Sequence, residues 1–71
     1  MKLQVNDYVK IHTEVLHNKN GKIGIIEFTN EYSNSSLVLF LNSEHREWFA
    51  NAWLIKASDS EVAWYLVTNE I

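Results

Sequence analysis

The chain has 71 residues, of which 46% are apolar and 13% aromatic, with a net charge of −3 and no cysteine. At this length only about 60% of the unfolded surface is buried on folding, which allows one small core and excludes a second domain. The lack of thiols removes disulfides and thiolate metal cages as sources of stability and fits a reducing compartment. The longest apolar run, Leu37 to Leu41, is far short of the ~20 residues that cross a bilayer, and Met1 to Asp7 turns polar before a signal-peptide core could form. A cytoplasmic protein without a membrane partner is expected.

Proline is absent and only Gly21 and Gly24 are present, so turns must come from Asn, Ser, Asp and Lys clusters. Four such clusters, at 17–21, 29–36, 42–46 and 58–60, separate short β-branched and aromatic runs of strand length. Asn6 to Ile11 alternates, with Val9 and Ile11 on one face and Tyr8 and Lys10 on the other, which predicts a half-buried first strand. Asn20-Gly21 supplies a residue that tolerates positive φ ahead of the Ile-rich second strand, and Gly24 within that strand predicts a bulge or a close backbone approach.

Leu37 to Leu41 reads as a third strand, reached through a hairpin loop at 29–36. Trp48-Phe49 opens a fourth strand, Ala50 to Trp53 a single helical turn, and Leu54 to Ala57 a return to extended structure. A helix over Glu44 to Ala57, capped by Ser43, is the competing reading. Val62 to Thr68 predicts a last strand, an addition at about 61–69 to the single domain 1–71. The fold class is thus all-β, a small barrel of five to six short antiparallel strands with one helical turn near Ala50-Trp53.

The stretches 6–11, 21–28 and 37–54 together resemble the SH3-like barrels of the KOW type, and more loosely the small barrel protein of photosystem I and the variable chain of ferredoxin-thioredoxin reductase. In such barrels a polar-Asp-x-Val element starts the first strand, here Asn6-Asp7-Tyr8-Val9, a Gly-x-x-Gly element bends the second, here Gly21 to Gly24, and a short helical turn precedes the last strand. The resemblance is to a fold pattern that serves many functions. It implies nucleic-acid or ribonucleoprotein binding through basic loops, whereas the loops of this chain are rich in Asn, Ser and Glu.

Charge is unevenly divided. Residues 1–26 carry Lys2, Lys10, Lys19 and Lys22 against Asp7 and Glu14, a sum of +2, and residues 27–71 carry Arg46 and Lys56 against Glu27, Glu31, Glu44, Glu47, Asp59, Glu61 and Glu70, a sum of −5. An acidic surface disfavours phosphate contacts, which need clustered Lys and Arg. Lys10, Lys19 and Lys22 with Tyr8 would serve a nucleic-acid module, and the acidic second half would serve a nucleic-acid mimic; both are alternatives to protein binding.

No catalytic, metal or cofactor site is expected. His12, Glu14 and His17 do not converge on a strand, where His17 falls opposite the other two. Glu44-His45-Arg46-Glu47, with Ser43 or Ser58 as a conceivable nucleophile, reads as a charged turn, and no Gly-rich loop has a phosphate-cradling setting.

The aromatic residues carry the functional expectation. With Phe28, Phe40 and Phe49 inward beside Val9, Ile11, Ile26, Val38 and Leu54, the core is supplied, and Trp48, Trp53, Tyr8 and Tyr32 become a binding surface for a protein partner. The final strand is apolar on both faces, so Trp64, Tyr65 and Leu66 are expected to meet a second copy or a partner strand, covering outer-face Ile25, Leu37 and Leu39. A small non-catalytic interaction module, a regulator or inhibitor with an acidic rim, is the function these features imply.

Overall fold

The computed structural model describes residues 3–13, 20–41 and 43–68. Five strands, β1 (Tyr8–Ile11), β2 (Ile23–Asn30), β3 (Ser35–Phe40), β4 (Arg46–Ala50) and β5 (Leu54–Lys56), form one antiparallel sheet in the order β4-β3-β2-β1-β5. A single 3₁₀ turn, Asn51–Trp53, joins β4 to β5, and one helix, α1 (Asp59–Thr68), follows. The all-β class and the helical turn at 51–53 are as expected, and the competing helix over Glu44 to Ala57 is replaced by β4, the 3₁₀ turn and β5.

The short turn between β4 and β5 shapes the sheet. These strands lie on opposite edges, which in a flat five-stranded sheet would be ~19 Å apart. The four Cα steps from Ala50 to Leu54 reach at most ~15 Å, and less through a 3₁₀ turn. The sheet must therefore curl until its edges approach each other.

The curl encloses Val9, Ile11, Ile26, Val38, Phe40, Phe49 and Leu54, with Leu3 and Trp53 packed against them. Phe40 and Phe49 meet edge to face at 5.8 Å. Gly24 is buried in this interior. A Cβ there would come within 2.5 Å of Val38 Cγ1 and 2.6 Å of the Leu39 carbonyl oxygen, so only glycine lets β2 approach β3 this closely. Gly21 has φ +88°, the left-handed conformation that the chain needs on entering β2.

The hairpin between β2 and β3 turns at Glu31–Asn34, shorter than the expected loop, because β2 runs to Asn30 and β3 starts at Ser35. Asn30 Oδ1 accepts the backbone N–H groups of Tyr32 and Ser33, and Asn34 takes the left-handed conformation at φ +53°. Ser36, fully buried, donates its hydroxyl to Asn51 Oδ1 at 2.6 Å, and Asn51 Nδ2 donates to Asn34 Oδ1. These bonds tie the 3₁₀ turn to the hairpin.

Two expectations are corrected. Phe28 is not in the core. β2 and β3 pair Ile26 with Val38 but Phe28 with Leu37, so Glu27 is an extra residue in the ladder. That bulge puts Glu27 and Phe28 on the same side and turns Phe28 outward, 63% exposed. The second correction is the added strand at about 61–69, where residues 59–68 instead form α1. Ser58 and Glu61 make a reciprocal capping box: Ser58 N–H donates to Glu61 Oε1 and Glu61 N–H donates to Ser58 Oγ. Ser-x-x-Glu before an apolar run is the signature of a helix start, and it decides between helix and strand where an all-round apolar run does not.

Candidate functional site

Strand alternation assigns every sheet residue to a face. Val9 and Ile11 are inside, so Tyr8 and Lys10 are outside, and their partners across the ladder follow. Two adjacent rows cross the outer face. One runs Tyr8, Ile25, Leu39 and Arg46, and the other Phe28, Leu37 and Trp48. Ile25, Leu37 and Leu39 are half-buried on this face, as expected.

Three aromatic rings of the outer face are open to solvent: Tyr8 at 39%, Phe28 at 63% and Trp48 at 51% exposed. Phe28 and Trp48 flank Leu37 in register, so neighbouring side chains are separated by only ~5 Å between Cβ atoms. The ion pair between Arg46 Nε and Glu27 Oε1, at 2.6 Å, lies beside this row and ties β4 to the bulge.

Of the four aromatic residues proposed from sequence, Tyr8 and Trp48 share this face. Tyr32 is fully exposed but projects from the hairpin turn. Trp53 belongs to the core instead: it is half-buried and its ring lies 6.4 Å from that of Phe49. Phe28 was missed because Ile26 and Phe28 share a face in any unbroken strand, and no Gly or Pro marks the bulge at Glu27.

Glu27 lies beside this row and Glu44 just precedes β4, whereas Glu47 alternates with Trp48 and pairs with inward Val38, so it lies on the other face, where its carboxylate is 3.0 Å from His45 Nε2. Glu31 sits in the hairpin turn. Lys10, on the same outer face, donates to Glu61 at 2.6 Å and so anchors the first turn of α1 to β1. This hydrogen bond, with that from the Ser58 backbone, holds the Glu61 carboxyl below its ordinary value.

Trp64, Tyr65 and Leu66 lie on α1, so they cannot extend a sheet edge. Glu61, Val62 and Tyr65, on one side of the helix, are half-buried, while Trp64, at 70%, and Val67 are exposed on the other beside Ala63.

Among the described residues, no three His, Cys, Asp or Glu side chains come together to hold a metal ion, and Glu14 and His17 lie outside those residues. His12 is exposed at the end of β1. Ser58 is occupied as a helix cap and Ser43 Oγ accepts the His45 N–H. No helix among the described residues is long and apolar enough to cross a membrane. No family model, curated protein or solved structure matches the chain.

Proposed function

We propose that this chain is a non-catalytic protein-interaction module of the SH3-like barrel type, a regulator or inhibitor, that docks a protein partner on the outer-face row Phe28, Leu37 and Trp48. The observation that carries this reading is the bulge at Glu27, which removes a large aromatic ring from the core and sets it in register with Trp48. A Phe held in water adds nothing to the core, whereas two rigid rings flanking a Leu suit a desolvated contact. The strand order, the Asn6-Asp7-Tyr8-Val9 start of β1 and the 3₁₀ turn ahead of β5 support the barrel type.

The partner brings basic side chains. Glu27 and Glu44, beside the row, outnumber Arg46, the cation among them, so complementary charge steers a Lys- or Arg-bearing surface onto the aromatic row. The same balance weakens the KOW-type nucleic-acid reading, and Lys10 is engaged by Glu61. A phosphate mimic is disfavoured because Glu27 and Glu61 are each paired with a cation.

Capture from cell extract on immobilised protein, parent beside the double variant Phe28→Ala/Trp48→Ala, tests the reading. A protein retained by the parent, lost with the double variant and eluted by moderate salt is the expected result. Identical retention by both would sink it.

A second copy of the chain is a further partner, favoured by the outward apolar side of α1. Sedimentation of the parent beside Trp64→Ala decides this: self-association in the parent that the substitution abolishes supports a dimer, and monomers in both remove it.

A further inference from the structure

A cleft of about 490 Å³ opens between the β2–β3 turn and β5, at one end of the curled sheet, and neither Phe28 nor Trp48 lines it. We propose that it binds an extended, uncharged peptide segment bearing an apolar side chain. The size lies within the ~300–1,000 Å³ usual for ligand clefts. Leu3 and Leu54 supply apolar lining, and Thr29, Asn30, Asn34 and Asn51 supply polar groups.

The carboxamides are oriented by bonds already made. Asn30 Oδ1 is held by two backbone N–H groups, those of Tyr32 at 3.0 Å and Ser33 at 3.3 Å, so its NH₂ group is turned away from the turn backbone. Asn34 Oδ1 accepts from Asn51 Nδ2 at 3.2 Å, which leaves the Asn34 NH₂ group as the donor. With their oxygens engaged, both side chains offer N–H groups, which select a ligand rich in acceptor oxygens.

Two further features distinguish a peptide from a simple carboxylate. Lys56 lines the cleft but lies 3.8 Å from the Asp7 carboxylate, and Glu31 lines it too, so a net anion gains little. The wall formed by β5 also presents backbone. Trp53 O accepts from His12 N and Ala57 N donates to Tyr8 O, so residues 53 and 57 are turned to β1, and alternation turns the Leu54 carbonyl to the other side. An extended peptide matches this arrangement, with carbonyls for the Asn amides, an N–H for Leu54 and a side chain against Leu3 and Leu54.

The test is a titration of ¹⁵N-labelled protein with the neutral peptide acetyl-Ala-Leu-Ala-amide, with isobutyrate as the carboxylate arm. Saturable shifts at the amides of Thr29, Asn30, Asn34, Asn51 and Leu54, stronger with the peptide, are expected. Asn30→Asp keeps an oxygen for the Tyr32 and Ser33 N–H groups but replaces the donor with an acceptor, and should weaken binding about tenfold. Should that variant lose its native spectrum, Thr29→Val, which removes a cleft hydroxyl at nearly constant shape, takes its place with the same expectation. Absence of saturable shifts, tighter binding of isobutyrate, or unchanged affinity in a folded variant would overturn the proposal. Trp48→Ala should leave this titration unchanged, so the cleft and the aromatic row stand or fall separately.

Discussion

Gly24 and Phe28 lie four positions apart in one strand and do opposite work. Gly24 permits close approach inside, and Gly24→Ala would push a methyl into Val38 and the Leu39 carbonyl. The Leu39 contact is with backbone and cannot rotate away, so a loss of about 1–3 kcal/mol is expected in urea unfolding. Phe28→Ala should change stability by no more than about 0.5 kcal/mol, because the ring is already in water. Partner binding should fall by about 2 kcal/mol or more if Phe28 is an anchor of the interface, read by titration with the captured protein. A third residue, Ser36, is buried with its hydroxyl bonded to Asn51. Asn51→Leu would strand that hydroxyl and remove the side-chain bonds between the 3₁₀ turn and the hairpin, leaving the backbone bond from Asn51 N–H to the Asn34 carbonyl, at an expected cost of about 1–3 kcal/mol by the same assay.

Among the elements, α1 depends most on a few contacts. Ten residues are too few for a stable isolated helix, and α1 has no fully buried residue. It is held by the Ser58–Glu61 capping box and by Lys10. The Glu61 carboxyl is lowered in the folded state, so its contribution is present above the ordinary carboxylate range and is lost as pH falls through the folded value. As pH falls below the ordinary carboxylate range, helical circular dichroism should therefore decline before the sheet unfolds. Glu61→Gln should show a reduced helical signal at neutral pH, and its residual signal should lack this pH step. A helix that persists unchanged in Glu61→Gln would show that packing, not the cap and ion pair, maintains it.

For the molecule as a whole, the two edges of the sheet are drawn together by the three-residue turn at Asn51–Trp53, and the curl separates an apolar interior from an outer face rich in aromatics. In the proposed docking, the acidic excess of Glu27 and Glu44 beside the outer row makes association salt-dependent. The association rate for a basic partner should fall between low and physiological ionic strength, while dissociation changes less. A rate indifferent to salt would detach this acidic excess from binding.

Most of the sheet was legible because its signals are local. Alternation in Tyr8–Ile11 and Ser35–Phe40, Asn-rich turns and Gly21 at positive φ each act over a few residues. Ser58 and Glu61 also announced α1 locally, through their spacing, although an apolar run that suits strand and helix equally obscured it. The site was only half legible: Tyr8 and Trp48 belong to the outer face, Trp53 packs on the core, and Phe28 enters it unannounced. By itself the sequence determined the strands, their turns and the glycine positions, since backbone preference and side-chain period operate within a segment. Tertiary structure alone decided the bulge at Glu27 and hence which aromatic rings face solvent, because register depends on the partner strand and one inserted residue reverses every face beyond it.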